Sequence, residues 1–396
     1  MKTTVNGSRL TAHELKVYIR TFGCQMNTRD SEIVIGMLEE HGYKHTDDPK
    51  EADIVIFNTC SVREHAEQRA LSALGYLLRR GAKHKKRIFG VMGCVAQHKQ
   101  EKIFKSLPKL DFICGSSDIY NIPLILSQII NEGKVNVVSV SKKDRGKRSI
   151  KNINPSYREK EKEALVNIMY GCNNFCSYCI VPYVRGEEVS RPVKDIVEEI
   201  TDLVSKDITH ITLLGQNVNS YNGKDGKEDI DLIGLLKQLN KIEGIKKISF
   251  MTSHPKDAKP SLFKAMRDLN KVDKHLHLAM QSGSDKILKL MNRGYTSAKF
   301  IKLVEDFREI VHDGKISTDI IVGFPTETEE DFNQTKEVVE KLRFDNAYIF
   351  KYSPRPPAKS SEMADDVLID VKKRRHSELL ELQREISREK KGKKFN

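Results

Sequence analysis

The chain alternates short β-like runs with helical segments, and it does so in two series. In the first series, "VYIR", "DIVIFN", "RIFGVM" and "DFIC" are each followed by a stretch with helical periodicity, up to about residue 126. Parallel strands need crossover connections of this length, whereas hairpins need only a few residues. The alternation therefore predicts an α/β fold that begins with a doubly wound, flavodoxin-like parallel sheet.

The second series starts at residue 164 and contains six β-like runs separated by helical segments. Eight βα units would make a complete TIM barrel, so six units predict a partial (β/α)6 barrel. Between the two series, residues 141–163 have almost no apolar periodicity and are expected to form a linker or a charged hairpin. We expect an N-terminal domain at 1–150, a barrel at 151–365 and a charged C-terminal helix within 366–396.

Composition narrows the class of protein. No apolar run approaches the roughly 20 residues that a membrane span needs, and the polar N-terminus lacks the apolar core of a signal peptide. We therefore expect a cytoplasmic protein that is not in a membrane, in which seven cysteines serve as ligands rather than disulfides. The net charge of +13 favours a polyanionic partner such as nucleic acid, with solubility alone as the alternative.

Three cysteines lie in the single stretch "YGCNNFCSYC", directly after the first strand of the second series. These are Cys172, Cys176 and Cys179, and the carboxyl end of a barrel strand is where active sites occur. Three thiolates this close repel one another unless a metal neutralises them. A structural zinc ion needs a fourth ligand, which the following residues do not offer, whereas a four-iron cluster on three cysteines leaves one iron open.

The Cys-x3-Cys-x2-Cys spacing, with aromatic Tyr178 before the third cysteine, resembles the signature of the radical S-adenosylmethionine enzymes. The resemblance implies a [4Fe-4S] cluster that binds and reductively cleaves S-adenosylmethionine. No side chain is assigned as a catalytic acid or base, and His254 and His277 are given no role. The expected S-adenosylmethionine contacts are Tyr178, Gly215, Gln216, Asn217, Gln281, Ser282 and Asp319. For each polar residue among them, the alternative role is a hydrogen bond to the barrel backbone or a helix cap.

Four further cysteines follow strands of the first series, namely Cys24, Cys60, Cys94 and Cys114. Parallel strand ends meet at one edge of a sheet, so these thiols could converge, although a lone cysteine is more often a buried hydrophobe. Spacing alone leaves open which three would form a site. The stretches "TFGCQMNTRDSE", "FNTCSVRE" and "VMGCVAQ" resemble the N-terminal domain of methylthiotransferases, which implies a second [4Fe-4S] cluster at Cys24, Cys60 and Cys94. Cys114 is then expected to be a core thiol.

Other stretches, including "GCQMN" and "VPYVRGEEVSRP", resemble the MiaB subgroup of tRNA methylthiotransferases over nearly the whole chain. The resemblance implies methylthiolation of C2 of an N6-isopentenyladenosine beside the tRNA anticodon, with two S-adenosylmethionine molecules used per product. The alternatives are the threonylcarbamoyladenosine enzyme, the ribosomal-protein aspartate enzyme and a non-enzymatic RNA-binding protein with structural zinc.

The same resemblance sets the expected partners. They are the tRNA anticodon stem-loop, an electron donor such as flavodoxin or ferredoxin, and a sulfur donor, and we expect a monomer. Relatives carry a C-terminal TRAM domain, which we expect this chain to lack. Four charged residues are expected either to line a pocket for the base or to form a salt-bridged loop: Arg185, Arg191, Glu187 and Glu188.

Overall fold

The computed structural model describes residues 15–61, 64–81, 87–141 and 161–392. The chain forms two compact units, the first from Met1–Glu161 with Tyr183–Val189 and the second from Lys162–Pro182 with Ser190–Asn396. Most of the predicted linker, and the boundary predicted at residue 150, lie outside the described residues and stay predictions. No described helix combines the length and the apolar character needed to cross a bilayer.

The first unit contains a six-stranded sheet in the order β2-β1-β3-β4-β5-β6. Every neighbouring pair in it is parallel. The predicted doubly wound sheet is confirmed, and the order 2-1-3-4-5 is that of flavodoxin-like folds. The apolar pattern of the sequence did not predict β2 and β6, which are edge strands of only two and three residues. The strands are β1 (Lys16–Phe22), β2 (Lys44–His45), β3 (Ile54–Thr59), β4 (Ile88–Gly93), β5 (Phe112–Gly115) and β6 (Val137–Ser139).

Helices cover both faces of this sheet. Along β3, Ile54 and Ile56 pack in one apolar cluster, while Val55 and Phe57 pack in another on the opposite face. Because a parallel strand is buried on both faces, it reads as a continuous apolar run, and each fully buried side chain of this size contributes about 1.5–3 kcal/mol. The helices are α1 (Gln25–Glu40), α2 (Glu64–Gly81), α3 (Cys94–Lys99), α4 (Lys102–Ser106) and α5 (Ile122–Glu132).

The second unit contains six parallel barrel strands within the described residues, in two three-stranded sheets ordered β7-β10-β13 and β14-β15-β16. Parallel bridges such as Ser253 to Leu278 join the two sheets, so the predicted partial (β/α)6 barrel is confirmed. The strands of this part of the chain are β7 (Glu163–Asn167), β8 (Met169–Tyr170), β9 (Val189–Ser190), β10 (His210–Leu214), β11 (Asn222–Asp225), β12 (Glu228–Asp231), β13 (Lys247–Phe250), β14 (His275–His277), β15 (Lys315–Val322) and β16 (Asn346–Lys351).

Side chains alternate along the barrel strands. In β15, Ile316 and Ile320 join the main apolar core with the helices, which leaves Ser317 and Asp319 on the other face of the strand. The charged helix predicted near the C-terminus is observed as α13. The helices are α6 (Val181–Arg185), α7 (Val193–Ser205), α8 (Leu232–Asn240), α9 (Pro260–Asp268), α10 (Asp285–Leu290), α11 (Ser297–Ile310), α12 (Glu329–Leu342) and α13 (Ile369–Gly392).

Candidate metal centres

The loop that follows β8 carries the first group of thiols. Gly171 opens it with a φ of +73°, a left-handed conformation that glycine adopts without the steric cost of a side chain. Cys172 and Cys176 are buried and Cys179 is partly exposed. The backbone N–H of Cys179 donates to the carbonyl of Cys176 at 2.9 Å, which closes a tight turn between these two cysteines. We call these three residues the loop triad.

The loop triad does not favour free thiolates. Burial, together with the charges of Cys176 and Cys172, raises the pKa of Cys179 to about 12. Three thiolates can coexist here only with a positively charged group bound to them, as a metal centre provides. In the described part of the chain, no three His, Cys, Asp or Glu side chains enclose a site for a single metal ion. The set of donors fits a cluster of several irons better than it fits one zinc ion.

One buried cation, Arg293, lies against the loop triad. Its Nη1 donates to Cys176 Sγ at 3.2 Å and to the hydroxyl of Tyr178 at 3.3 Å. Its Nη2 donates to the carbonyl of Ala279 at 2.7 Å, and Nε donates to the Tyr295 hydroxyl. Its partners among the described residues are thus a thiol, two hydroxyls and a carbonyl, and none of them is a carboxylate. The charge of this guanidinium is available to an anionic group bound at the thiols.

The side chains of two expected S-adenosylmethionine contacts form hydrogen bonds within the protein. The Oδ1 of Asn217 accepts from the backbone N–H of His254 at 3.2 Å, and its Nδ2 donates to Asp257 Oδ2 at 2.8 Å. The Oγ of Ser282 accepts from the backbone N–H of Ser284 at 3.1 Å, in a fully buried position. Both side chains therefore hold the loops after β10 and β14 in shape.

Two other expected contacts have a free acceptor. The Oε1 atoms of Gln216 and Gln281 are buried and accept no hydrogen bond from any described residue. Gln281 also has a φ of +70°, and its N–H donates to the carbonyl of Asp319 at 2.8 Å. A buried acceptor without a partner costs about 1–3 kcal/mol, so a ligand that donates to it recovers that energy.

Two further expected contacts are a tightly packed glycine, Gly215, and a partly exposed carboxylate, Asp319. A Cβ on Gly215 would lie 2.4 Å from Met169 Cγ, so glycine is needed there for close packing. Asp319 is partly exposed, and its Oδ2 lies 3.2 Å from Nε2 of His277. The other ring nitrogen of His277 is 2.9 Å from Ser317 Oγ, which fixes the orientation of the ring.

His254 lies near the loop triad but remains a neutral structural residue. Burial and the positive charges of Arg293 and Lys256 lower its pKa to about 2. Its Nδ1 accepts from the backbone N–H of Lys256 at 3.1 Å, while Nε2 is 3.9 Å from Cys176 Sγ. This arrangement agrees with the sequence analysis, which gave this histidine no chemical role.

The second group of thiols lies in the first unit at the carboxyl ends of three strands. Cys24 follows β1, Cys60 follows β3, and Cys94 is the first residue of α3 directly after β4. The Cys24 thiol is within hydrogen-bonding reach of Cys60, which lowers the pKa of Cys24 to about 6 together with the charge of Arg185, against the opposing effect of burial. We call these three residues the strand-end triad.

The position of the strand-end triad follows from topology. Strands β1 and β3 are neighbours, while the chain between them leaves to form β2 on the outer side of β1. The connections that follow β1 and β3 therefore run in opposite directions across the sheet. Flavodoxin-like sheets bind ligands at the point where this direction reverses. A pair of amides braces the edge, since Asn27 Nδ2 donates to Asn58 Oδ1 at 2.8 Å and Asn58 Nδ2 donates back to the carbonyl of Asn27.

The fourth cysteine of the first unit is separate from this site. Cys114 is fully buried in the apolar cluster that contains Ile119 and Ile122. Burial raises its pKa well above the usual range for a thiol, with a further contribution from the charge of Asp118. The expectation that Cys114 is a core thiol is confirmed.

Two of the charged residues expected near a base pocket form buried ion pairs instead. Arg185 Nη1 is 2.7 Å from Asp30 Oδ2 in the first unit, and Arg191 Nη1 is 2.7 Å from Glu199 Oε2 in the second. Of the two acids, Glu187 is exposed and Glu188 is partly exposed. Both arginines are therefore salt-bridged, but to acids outside the loop of Glu187 and Glu188, and the base pocket stays a prediction.

Comparison with known proteins connects both units to families. The family model described as the uncharacterized protein family UPF0004 matches residues 16–115, which include the strand-end triad. The model of the radical SAM superfamily matches residues 166–339, which include the loop triad and Arg293. Together the two models span β1 to β5 of the first unit and most of the barrel.

Curated relatives match almost the whole chain. A protein of Thermoanaerobacter sp. (strain X514) is 48% identical over 378 residues, which is 95% of this chain and 79% of the relative. One from Rhodopirellula baltica is 42% identical over 94% of this chain and 80% of its own length. Both are named tRNA-2-methylthio-N(6)-dimethylallyladenosine synthase. This chain belongs to that synthase family.

Solved structures support the fold of this synthase family member. The radical S-adenosylmethionine methyltransferase TsrM from Kitasatospora setae, with cobalamin and a [4Fe-4S] cluster bound, aligns with a TM-score of 0.61 at 13% identity, over 87% of this chain and 74% of that one. The cobalamin-dependent radical enzyme OxsB aligns with a TM-score of 0.58 at 14% identity, over 90% of this chain and 56% of that one. At these identities the likeness concerns the fold alone.

Sequence reasoning missed Arg293 and Tyr295 of this synthase family member. Both occur in the stretch "MNRGYT", which carried part of the resemblance but received no residue assignment. The Tyr295 hydroxyl lies 2.6 Å from the carbonyl of Met280 and accepts from Arg293 Nε at 3.1 Å. An arginine beside a tyrosine in a short motif was the available signal, but its proximity to the cysteines required the fold.

Proposed function

We propose that the protein is a radical S-adenosylmethionine methylthiotransferase that adds a methylthio group to C2 of N6-isopentenyladenosine beside the anticodon of tRNA. The observation that carries the proposal is the pair of three-cysteine centres, one in the loop after β8 and one at the ends of three parallel strands, each in a region matched by its own family model. Relatives at 42–48% identity that bear the synthase name support the substrate.

The residues of each centre fit one [4Fe-4S] cluster. The loop triad of Cys172, Cys176 and Cys179 would hold the cluster that binds S-adenosylmethionine, and the strand-end triad of Cys24, Cys60 and Cys94 would hold the auxiliary one. When bound, the clusters and S-adenosylmethionine supply the electron, the radical and the sulfur that the reaction needs. Three protein thiolates per cluster leave one iron open for a further ligand.

The chain itself binds and orients S-adenosylmethionine near the loop triad. Arg293, a buried cation without a carboxylate partner among the described residues, offers its charge to the anionic end of the cosubstrate. Gln216 and Gln281 offer buried carbonyl oxygens to its donor groups. Tyr178 is the proposed adenine contact, with Gly215 allowing close approach and Asp319 as a polar contact. Asn217 and Ser282 support these loops from behind.

The proposed reaction needs a tRNA substrate, an electron donor and a sulfur donor. The net charge of +13 suits a polyanion, and a base that is modified within a loop must be splayed into a pocket. We propose an electron donor of the flavodoxin or ferredoxin type, a separate sulfur donor, a monomeric enzyme and a cytoplasmic location, where thiols stay reduced. The division into 1–150, 151–365 and 366–396 belongs to the same proposal.

The test has two parts. Iron and sulfide are measured after anaerobic reconstitution of the parent chain and of Cys172→Ala/Cys176→Ala/Cys179→Ala, with about eight irons expected to fall to about four. The parent is then incubated with S-adenosylmethionine, a reductant and tRNA carrying either isopentenyladenosine or threonylcarbamoyladenosine. Methylthiolation of the first tRNA alone supports the proposal, whereas product on the second alone, or four irons falling to none, contradicts it.

A further inference from the structure

Arg185 is a buried cation in the first unit that the proposed reaction leaves without a role. Arg185 is 3% exposed, and its Nη1 lies 2.7 Å from Oδ2 of Asp30, a fully buried residue of α1. Asp30 lies in the same helix whose N-terminus carries Cys24. The adjacent residue is anchored as well, since the carbonyl of Val184 accepts from Ser116 Oγ at 2.6 Å, just after β5. The guanidinium is therefore held at the edge of the sheet where the strand-end triad lies.

The charge of Arg185 acts on that triad. Its guanidinium lies within hydrogen-bonding reach of the Cys94 thiol and within electrostatic range of Cys24. In addition, its Nη2 is buried and donates no hydrogen bond to any described residue. A buried donor that completes no hydrogen bond beside the Cys24 and Cys94 thiols needs an acceptor, and the sulfur atoms of a thiolate-bound cluster are acceptors.

We infer that Arg185, oriented by Asp30, is a positioning residue of the strand-end triad that stabilises the more negatively charged state of the group held by Cys24, Cys60 and Cys94. The inference rests on the proposed auxiliary cluster. A fixed positive charge beside a cluster favours the state with one more electron, and hydrogen bonds to cluster sulfurs act in the same direction. Arg185 should therefore raise the reduction potential of this cluster and slow the loss of its iron.

The experiment uses the full chain with Cys172→Ala/Cys176→Ala/Cys179→Ala as background, so that only the auxiliary cluster remains. Arg185→Gln is compared with this background by redox titration followed by electron paramagnetic resonance, and by the rate of iron release to a chelator. At a fixed applied potential, the ratio of reduced to oxidised cluster should fall by at least about tenfold. Iron release should accelerate by about ten- to a hundredfold.

Two further variants separate charge from folding. Arg185→Lys keeps the charge and should restore most of the reduced fraction. Asp30→Asn/Arg185→Gln removes the whole ion pair, which avoids a buried unpaired charge and is therefore better tolerated than a single substitution. This double variant should fold and still show a lowered reduced fraction, because it loses the hydrogen-bond donor that lies within reach of Cys94.

Arg191→Gln is the matched control, since Arg191 forms an equally short and equally buried ion pair with Glu199 in the second unit. It should lower thermal stability and leave the potential of the auxiliary cluster unchanged. An unchanged potential in the double variant, or a shift in Arg191→Gln as large as in Arg185→Gln, would overturn the inference. If the background chain binds no iron at all, the proposed auxiliary cluster fails instead, so the two failures are distinguishable.

Discussion

The two cysteine centres of this molecule contain the same number of thiols but are built in different ways. The loop triad lies within eight consecutive residues of one loop, whereas the strand-end triad is assembled from the ends of β1, β3 and β4. The spacing of the first can be read directly from the sequence. The second exists only because a parallel sheet places these strand ends side by side. A local motif thus specifies one centre, and chain topology specifies the other.

The centres also differ in how their buried arginine is neutralised. Arg185, next to the strand-end triad, is paired with the carboxylate of Asp30. Arg293, next to the loop triad, is held by Cys176, two tyrosine hydroxyls and a backbone carbonyl. An unpaired buried charge is costly, so the loop triad is the centre that gains more from an anionic ligand. The cosubstrate carboxylate proposed above is such a ligand.

The largest expected effect comes from removing one whole triad. In Cys24→Ala/Cys60→Ala/Cys94→Ala, formation of methylthioadenosine in tRNA should fall to background, while reductive cleavage of S-adenosylmethionine to 5′-deoxyadenosine continues. The reason is that the loop triad and its arginine remain intact in the other unit. Both products are measured by mass spectrometry in the same reaction. Cys114→Ala serves as the matched control and should retain both products, and methylthioadenosine formed by the triple variant would refute the division of roles.

The next effect concerns Arg293. Replacing Arg293 by Gln removes the cation that contacts Cys176 Sγ, and we expect KM for S-adenosylmethionine to rise about ten- to a hundredfold. Steady-state kinetics of 5′-deoxyadenosine formation measure this change. Arg267→Gln is the control, since Arg267 is an exposed residue that pairs with its neighbour Asp268, and it should behave like the parent. A lower kcat with an unchanged KM would instead mean that Arg293 serves the cluster and not the cosubstrate.

A smaller effect distinguishes two neighbours after β14. Gln281 has a buried free acceptor, so Gln281→Ala should weaken S-adenosylmethionine binding about tenfold, the loss of one hydrogen bond of roughly 1.4 kcal/mol. Ser282 is already bonded to the backbone of Ser284, so Ser282→Ala should lower stability by about 1–3 kcal/mol without weakening binding. Calorimetric titration and thermal unfolding of both variants test this pair, and the reverse pattern would reassign their roles.

The sequence predicts the fold well because the apolar periodicity of parallel strands is a local property. It predicts β1, β3, β4 and β5 and all six barrel strands. It does not predict β2, β6, β9, β11 and β12, which have only two to four residues each and are too short to show a period. The site is predicted only in part. The contact of Arg185 with Asp30 joins distant parts of the chain, and nothing near either residue in the sequence indicates the other. Likewise, the sequence predicts Asn217 and Ser282 as cosubstrate contacts from their strand-end positions, but it does not show the hydrogen bonds that both side chains form within their loops.

The last expected effect concerns stability alone and is a pH dependence confined to the second unit. Burial raises the pKa of Glu327 from its ordinary 4.5 to about 7, although the N–H of Gly323 and the charge of Arg375 oppose this. For Asp331, burial is outweighed by hydrogen bonds from Lys286, Ser284 and Thr328, which lower its pKa to about 2. Two carboxyl groups at the start of α12 are therefore shifted in opposite directions.

These pKa shifts set the direction in which stability changes with pH for each carboxyl group. In the folded chain Glu327 keeps its proton up to about pH 7, whereas in the unfolded chain it loses the proton near pH 4.5. Its contribution to the free energy of unfolding is therefore complete below pH 4.5 and is lost as pH rises towards 7. This change amounts to at most about 3 kcal/mol. The contribution of Asp331 is present above pH 3.8 and is lost as pH falls towards 2.

Denaturant unfolding from pH 2 to 8, combined with hydrogen exchange, measures both changes and assigns them to a unit. Glu327→Gln should flatten the change between pH 4.5 and 7, and Asp331→Asn should flatten the one below pH 3.8. Exchange protection in α12 and α13 should follow these changes, because Glu327 contacts Arg375 of α13 at 2.7 Å. If protection in the sheet of the first unit changes equally, the effect is not local to Glu327, and the two units unfold as one.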